Sequence, residues 1–314
     1  MKKALLLLNM GGPNNIDEVE LFLKNMFADK NILPVNRYIR KLIAYIIISK
    51  RIDDVKENYK LLGSKSPLPA LTQKLIDKLS QKIDMPIYAA MRYVPPFSIE
   101  SLIECKATGV EELVLFPLYP QYSTTTTLSS LEDIEDRCKE LDYDPKITMI
   151  DPYYDAYDYV VASCEEIIKA SEGIDTHEYD LILSAHGLPV SIIKAGDPYE
   201  KQIMANVSAI KTYLHAKGIA FNKIKLAYQS KVGPAAWLEP NLVDILRKPT
   251  NLKIIIYPLA FTIDNSETDF ELSIEHREIA DKIGFEDYRV AKCMNDSDKF
   301  VDFIVDQVNS ADNR

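Results

Sequence analysis

The chain has 314 residues, of which 47% are hydrophobic and 27% are charged, and its formal net charge is −10. This length and composition indicate a globular protein with one large or two ordinary α/β domains, and they exclude a low-complexity chain. Because the net charge is negative, a nucleic-acid phosphate backbone would be repelled, and we expect no nucleic-acid partner.

The chain begins with MKKALLLLNMGGP, in which two lysines and four leucines imitate a signal peptide. The apolar run is too short for that role and ends in a Gly-Gly-Pro turn, so we predict a first β-strand instead. After it, strand-like apolar runs alternate with segments of helical period, which favours an α/β protein with parallel sheets flanked by helices. The predicted strands are Ala4–Leu8, Ile87–Met91, Leu113–Leu118, Ile147–Ile150, Leu181–Ala185, Ile224–Tyr228 and Lys253–Tyr257. The predicted helices are Ile16–Phe27, Leu71–Leu79, Leu128–Leu141, Tyr157–Ala170, Tyr199–Ala216, Glu267–Ile283 and Ser297–Val308.

The four cysteines lie far apart and form no CxxC pair; they are Cys105, Cys138, Cys164 and Cys293. Isolated cysteines of this kind are typical of reduced thiols, so we expect a cytoplasmic protein. They are not clustered as the ligands of an iron–sulfur centre or a structural zinc would be.

A faint internal repeat relates the two halves of the chain. LLLLNMGGP at Leu5–Pro13 matches LILSAHGLP at Leu181–Pro189, which pairs Met10 with His186. LVLFPL in the first half similarly matches IIIYPL in the second. The repeat predicts two Rossmann-like halves whose first turns open on a shared cleft. Generic buried-strand composition also produces similarity this short, and that alternative stays open.

The repeat shows that the first half carries an insert before Pro67, at residues 29–66. It contains seven consecutive apolar residues, Leu42–Ile48. The cations that frame them are Arg37, Arg40, Lys41, Lys50 and Arg51. Such a segment is too short to span a bilayer, but it suits a lip over an apolar ligand or a shallow membrane contact. A buried helix with basic ends is the alternative.

The stretch LILSAHGLP describes a short buried strand that ends in a turn. This places His186 at the carboxyl end of a strand, where open α/β sheets usually bind their ligands. A histidine in such a turn is also often a structural residue, so its chemical role depends on what lies beside it.

An acidic row follows the strand that begins at Lys253. Asp264 and Ser266 are good N-cap candidates, so we predict a helix from about Glu267. Glutamates then recur along one helical face, at Glu267, Glu271, Glu275 and Glu278. Like charges at this spacing repel, which suggests a cation or proton path leading to Glu267, and a plain solvated face is the alternative.

Two further loops follow predicted strands. LYPQYSTTTTLSS, at residues 118–130, offers hydroxyls and free N–H groups to an anion or a polar substrate edge. YQSKVGPAAWLEP, at residues 228–240, carries Trp237, the only tryptophan of the chain. That side chain would either pack on a helix or present a flat face to a planar ligand.

Seven motifs, taken together, make the chain resemble the ferrochelatase family, whose members insert ferrous iron into a porphyrin. They occur in the family's order over almost the whole length: LNMGGP, Tyr59 with Ser66, RYV at Arg92–Val94, YPQYS, SAHGLP, YQSKVGPxxWL and the segment ending in Glu267.

The resemblance implies two Rossmann-like domains with parallel four-stranded sheets, of the class II chelatase type, and an active-site cleft between them. We expect the N-terminal domain at residues 1–150, joined by the C-terminal helix of residues 297–314, and the C-terminal domain at residues 151–296. His186 and Glu267 match the family's catalytic residues. The matched substrate-binding positions are Met10, Arg51, Tyr59, Ser66, Arg92, Tyr93, Tyr122, Trp237, Phe261 and Asp264. The expected metal-binding residues are His186, Glu267, Glu271 and Glu275.

The chain departs from the family's pattern in two places. Many members have a second histidine before the acidic helix, where this chain has Asn265, so no second histidine serves as proton relay or ligand. Animal-type members carry a C-terminal cysteine cluster, which this sequence lacks. We therefore expect no [2Fe–2S] cluster and no permanently bound cofactor, with Fe²⁺ as a substrate.

The implied reaction is Fe²⁺ insertion into protoporphyrin IX to form protohaem, the terminal step of haem synthesis. Either His186 accepts pyrrole protons while Glu267 and the acidic row conduct iron or protons, or His186 is a transient iron ligand. A coproporphyrin or other tetrapyrrole chelatase and a non-catalytic porphyrin or metal carrier are the alternatives. We expect a monomer whose partners are the porphyrin and ferrous iron, peripheral on the inner face of the cell membrane through the insert.

Overall fold

A computed structural model describes residues 2–311. Its contacts group them into two compact units. Unit 1 holds the chain up to Tyr119, Ser123–Asp151 and the residues from Val301 on, and unit 2 holds Pro120–Tyr122 and Pro152–Phe300.

Unit 1 is built on a four-stranded parallel sheet, with the strand order β2-β1-β3-β4. Its strands are β1 (Lys3–Asn9), β2 (Ile87–Met91), β3 (Glu112–Pro117) and β4 (Lys146–Met149). Its helices are α1 (Glu18–Ala28), α2 (Arg37–Leu61), α3 (Leu68–Leu79), α4 (Ser98–Ala107), a π-helical turn (Thr124–Leu128) and α5 (Ser129–Glu140). Apolar side chains of β1 and β3 pack with Cys105 and Cys138 in one core cluster. Burial on both faces of the sheet explains why these strands are continuous apolar runs.

Unit 2 repeats this arrangement with the strand order β6-β5-β7-β8, again all parallel. Its strands are β5 (Asp180–His186), β6 (Lys223–Gln229), β7 (Lys253–Pro258) and β8 (Asp287–Val290). Its helices are α6 (Tyr157–Ala170), a 3₁₀ turn (Thr176–Glu178), α7 (Val190–Lys194), α8 (Tyr199–Ala216), α9 (Leu242–Arg247), a π-helix (Glu267–Glu275) and α10 (His276–Ile283). A last helix, α11 (Asp298–Ala311), completes the chain that is described, and its Phe303 ring packs edge-on against Phe116 of β3 in unit 1. The first strand of each half, β1 and β5, holds the same place in its sheet, as the internal repeat predicts.

The insert forms the 25-residue helix α2, which is buried on one face only. One face packs against α1, with Ala44, Ile48 and Tyr59 buried in a cluster with residues of α1. The opposite face exposes five large apolar side chains, which are Tyr38, Ile39, Leu42, Tyr45 and Ile46. We call this set the exposed face of α2. None of the helices within residues 2–311 is both long and apolar enough to cross a membrane.

The carboxylate of Glu112 is a buried anchor at the start of β3. It is 2% exposed and lies 3.2 Å from Lys3 Nζ, 3.0 Å from Lys146 Nζ and 2.8 Å from Thr148 Oγ1. Burial alone would raise the pKa of Glu112, but the hydrogen bonds from Lys146, Thr148 and Lys3 outweigh it and lower the pKa to about 2. The ionised side chain therefore stabilises the fold above the unfolded-state pKa, and this contribution is lost as the pH falls towards 2.

We expect Glu112→Gln to lower the free energy of unfolding by about 2 kcal/mol at pH 7. The pKa shift alone would give about 3.5 kcal/mol, and solvent around the exposed Lys146 side chain reduces it. The deficit should shrink between pH 4.5 and pH 2, where wild-type Glu112 becomes protonated. Urea unfolding at several pH values measures both effects. Glu111→Gln, at the exposed neighbouring position, is the control. An equal deficit at pH 2 and pH 7 would contradict the role assigned to the Glu112 charge.

Candidate active site

The site of unit 2 lies at the carboxyl ends of two adjacent strands. His186 is the last residue of β5, as the sequence predicts, and it pairs in register with Gln229, the last residue of β6. Parallel strands end at the same edge of a sheet, so the side chains that follow both strands meet there.

Two backbone features shape this edge of the sheet. The Gly187 N–H donates to the Gln229 carbonyl at 2.9 Å, and a Cβ atom on residue 187 would lie 2.9 Å from that same oxygen. Only glycine permits this approach. Ser230 has a left-handed backbone with φ 64°, and its N–H donates to Glu271 Oε1 at 2.8 Å.

The acidic segment begins at Glu267, as predicted, but as a π-helix rather than an α-helix. A π-helix has a wider turn, so the regular acidic row expected from α-helical geometry does not form. Glu267 and Glu271 both reach Ser230, whereas Glu275 is exposed.

Of the two predicted N-cap candidates, Ser266 occupies the N-cap position and Asp264 does not. The Ser266 side chain makes no capping hydrogen bond. Asn265 Oδ1 accepts the Glu267 N–H at 2.7 Å instead. The Asp264 carboxylate is buried and accepts the N–H of Cys293 at 3.1 Å and Nδ2 of Asn295 at 2.9 Å, so it ties the helix start to the segment after β8.

A continuous hydrogen-bonded chain links the ionisable groups of the site. His186 Nδ1 lies 2.8 Å from Glu267 Oε2, and the two side chains are 35% and 31% exposed. Ser230 Oγ lies 2.9 Å from Glu267 Oε2 and 2.5 Å from Glu271 Oε2. Gln229 Nε2 reaches the same two carboxylate oxygens at 3.4 and 3.5 Å. We call His186, Glu267, Ser230 and Glu271 the proton chain.

The ionisable groups of the proton chain have pKa values that are shifted in different directions. Burial lowers the pKa of His186, but the charge and hydrogen bond of Glu267 and the charge of Glu271 outweigh it and raise the pKa. Burial raises the pKa of Glu267, but His186, with Ser230 and Gln229, brings it below its usual value. Each of the two groups therefore favours the charged form of the other across the 2.8 Å contact between Nδ1 and Oε2.

Glu271 behaves in the opposite way. Burial and the neighbouring charge of Glu267 raise the pKa of Glu271 to about 7. His276, whose Nε2 lies 3.8 Å from Glu271 Oε1, is itself buried, and burial lowers its pKa to about 4. His276 is consequently neutral near pH 7 and does not offset the charge of Glu271.

The position of Ser230 agrees with a protonated Glu271. A serine hydroxyl has one hydrogen to donate, yet Ser230 Oγ is within hydrogen-bond distance of both carboxylates. Both contacts are satisfied when Glu271 donates its proton to Ser230 and Ser230 donates to Glu267. The chain can then pass a proton between Glu271 and the His186–Glu267 pair.

Comparison with known proteins identifies the family. The ferrochelatase family model matches residues 2–312. A ferrochelatase of Wolinella succinogenes is 49% identical over 314 residues, which covers 99% of each chain. A ferrochelatase of Nitratiruptor sp. is 49% identical over 306 residues, covering 97% of this chain and 98% of its own. The chain belongs to the ferrochelatase family.

The fold also matches a solved chelatase structure. The sirohydrochlorin chelatase SirB from Bacillus subtilis subspecies spizizenii, in complex with cobalt, superposes with a TM-score of 0.59 at 9% identity. The match covers 99% of this chain and 95% of that one. The predicted fold class, with two parallel four-stranded sheets flanked by helices, is confirmed, and the chain is a porphyrin metal chelatase by its family.

The other unit 2 positions that match the ferrochelatase family lie on loops. Trp237 is half-buried, and hydrogen bonds from Leu238 N to Leu188 O and from Val190 N to Ala236 O fix its segment beside the β5 turn. Its Nε1 is buried and has no hydrogen-bond partner among residues 2–311. Phe261 and Tyr122 are half-buried. The backbone N–H of Tyr122 donates to Gln202 Oε1 at 2.7 Å.

The unit 1 positions that match the family differ widely in exposure. Met10 follows β1 and is half-buried, and Arg51 is exposed on α2. Tyr59 and Ser66 are 5% and 3% exposed. A Cβ atom on Gly12 would lie 2.4 Å from Ser66 Oγ, so the glycine makes room for this buried hydroxyl.

Arg92 and Tyr93 are part of a buried network around Asp29 in unit 1. Arg92 lies 3.5 Å from Asp29 and 3.3 Å from Asp133, and its Nε donates to Ser129 Oγ at 3.0 Å. Tyr93 is completely buried and donates its hydroxyl to Asp29 at 2.8 Å. In this conformation Tyr93, like Asp264, supports neighbouring segments and presents no surface to a ligand.

Sequence reasoning missed Gln229, Ser230 and the capping role of Asn265. The sequence does contain an indication of Gln229 and Ser230. Both come directly after a predicted strand, as His186 does, and that strand is the next one along the chain. Within the described part of the chain, no group of three or more His, Cys, Asp or Glu side chains is arranged to hold a metal ion. His186 and Glu267 are instead hydrogen-bonded to each other.

Proposed function

We propose that the chain inserts Fe²⁺ into protoporphyrin IX to form protohaem and that the proton chain of unit 2 handles the protons released. The observation that supports this role is the 2.8 Å contact between His186 Nδ1 and Glu267, which continues through Ser230 to a second carboxylate. Iron is a substrate of this reaction, and we propose that no other cofactor is needed.

Metallation exchanges two pyrrole N–H protons for one Fe²⁺ ion, so the site needs a base and a route for protons. Because Nδ1 of His186 is engaged by Glu267, Nε2 is the nitrogen that meets the porphyrin. We propose that Nε2 accepts a pyrrole proton and that the charge of Glu267 stabilises the imidazolium formed. Once Glu271 has released its own proton to solvent, Ser230 can pass the proton on from Glu267 to Glu271, and the same sequence serves the second pyrrole proton.

Transient iron ligation by His186 is the competing use of the same nitrogen. The hydrogen-bonded path beyond Glu267 favours proton transfer, because a ligand role would need no connection to Glu271. We propose that Glu267 and Glu271 also attract the incoming cation, whereas the exposure of Glu275 leaves it outside this group.

Anaerobic incubation with Fe²⁺ tests the reaction and its porphyrin. We expect the absorption bands of free protoporphyrin IX to be replaced by those of protohaem, with slower turnover of coproporphyrin. The exposed face of α2 supports a preference for the more apolar porphyrin. Faster turnover of coproporphyrin would overturn the substrate assignment. Unchanged free-base bands with both porphyrins would indicate a carrier.

We also propose that the exposed face of α2 makes a shallow contact with an anionic membrane surface. Leu42 is 60% exposed on this face, and Arg37, Lys41, Lys50 and Arg51 lie on the same helix although the protein is acidic overall. Apolar side chains framed by cations are typical of helices that lie in a membrane interface.

Sedimentation with vesicles of anionic and of zwitterionic phospholipid tests this contact. We expect binding to anionic vesicles that falls severalfold in Leu42→Glu and weakens as salt increases. Ile103→Glu is the matched control, since Ile103 is 51% exposed on α4. Equal losses in the two variants would exclude α2 as the contact.

A further inference from the structure

Neutral donors from the ends of β5 and β6 surround the two carboxylates of the proton chain. Ser184, in β5, is completely buried and donates its hydroxyl to Gln229 Oε1 at 2.7 Å. Gln229, which is 1% exposed, is thereby oriented with Nε2 towards Glu267 and Glu271. The Ser184 hydroxyl and the two carboxylates therefore favour the same orientation of the amide.

Ser230 adds two donors from the next position in the chain. Its N–H holds Glu271 Oε1, and its hydroxyl lies between the two carboxylates. The left-handed backbone at φ 64° allows both groups of one residue to face the same helix. The donors of Gln229 and Ser230 therefore hold the carboxyl groups of Glu267 and Glu271 side by side.

We infer that Ser184, Gln229 and Ser230 form a positioning clip that holds Glu267 against Nδ1 of His186, so that Nε2 stays directed to the substrate. The clip consists of neutral groups, so it fixes the carboxylates without cancelling the negative charge that His186 requires. This inference rests on the proposed function of the proton chain. None of the three clip residues needs to touch the porphyrin.

Imidazole ¹⁵N NMR tests the positioning clip by measuring which nitrogen of His186 carries the proton. The chain has four histidines, so their signals can be assigned individually. His177 and His215 are exposed and serve as internal references. In the wild-type protein we expect His186 to hold its proton at Nδ1 in a strong hydrogen bond. In Gln229→Met and in Ser230→Ala, the His186 nitrogen shifts should move towards those of an unrestrained imidazole while the reference signals stay in place.

The variants should follow an order that a merely structural role would not produce. Gln229→Glu keeps the partner of Ser184 but replaces a donor with a third carboxylate, so its effect should exceed that of Gln229→Met. Ser184→Ala frees the amide without touching a carboxylate and should have the smallest effect. We expect kcat for iron insertion to fall about tenfold in Gln229→Met, with KM for the porphyrin unchanged, as for residues that orient catalytic groups.

Ser230→Gly distinguishes the contribution of the Ser230 hydroxyl from that of its backbone N–H. Glycine keeps the N–H bond to Glu271 and relieves the left-handed strain, so a loss shared by Ser230→Gly and Ser230→Ala belongs to the hydroxyl. Unchanged His186 signals in Gln229→Met and Ser230→Ala would overturn the inference, as would equal effects of Gln229→Glu and Gln229→Met. If Gln229→Met or Ser230→Ala loses its reference signals, Ser230→Gly takes its place, and unchanged His186 signals in Ser230→Gly would overturn the inference. Failure of the proposed function would appear separately, as a wild-type protein that does not metallate porphyrin.

Discussion

Replacing His186 with alanine is expected to slow iron insertion by about two to four orders of magnitude, the usual contribution of a positioned general base. In the proposed mechanism Nε2 of His186 meets the substrate, and the alanine variant has no group to take its place. It also leaves Glu267 without its hydrogen-bond partner, so the pKa of Glu267 should rise. Porphyrin affinity should change little, since the loss concerns proton transfer.

Anaerobic stopped-flow absorbance with Fe²⁺ measures the rate, and quenching of Trp237 fluorescence measures porphyrin binding. His215→Ala, at an exposed position on α8, is the control and should behave as the wild-type protein does. A near-normal rate of iron insertion by His186→Ala would contradict both the proton-acceptor and the iron-ligand assignments of this residue.

The sheets of both units are predictable from the sequence because their strands are buried on both faces. The runs at Leu5 and Leu181 contain no polar interruption that would disguise them. The strand β8 was missed because its four residues, DYRV, include Asp287 and Arg289. It pairs only with β7 at the edge of the sheet, where charged side chains reach solvent and the apolar pattern is lost.

The site is only partly predictable, for a reason that Glu275 illustrates. The spacing of Glu267, Glu271 and Glu275 predicts one acidic face only if the helix is an α-helix. Local sequence does not specify the π-helical turn that separates Glu275 from the other two. Gln229 and Ser230 were missed for a different reason, because their importance depends on strand register and on a left-handed backbone at Ser230.

Replacing Glu271 with glutamine is expected to stabilise the protein above neutral pH. The pKa of Glu271 is raised to about 7 in the folded protein, from an ordinary value of 4.5. The folded state therefore binds this proton more tightly than the unfolded state, and stability falls as the pH rises from about 4.5 to 7. Above pH 7 the ionised, poorly hydrated carboxylate opposes folding in full.

Glu271→Gln removes that cost, so its free energy of unfolding should exceed that of the wild type by about 2 kcal/mol at pH 8 and by little at pH 4. The groups that face Glu271 are Glu267, His186, Ser230, Gln229 and His276. Urea unfolding across this pH range measures the difference. Glu275→Gln, an exposed glutamate of the same helix, is the matched control and should show no such pH dependence.

The same substitution should slow iron insertion about tenfold, because glutamine cannot take up or release the proton that Ser230 passes on. It also removes a charge that raises the pKa of His186, so the pH dependence of insertion should shift to lower pH. A variant that is more stable at pH 8 yet slower would show that Glu271 is kept in a destabilising environment for its chemistry. If Glu271→Gln is neither more stable at pH 8 nor slower, the proton chain ends at Glu267.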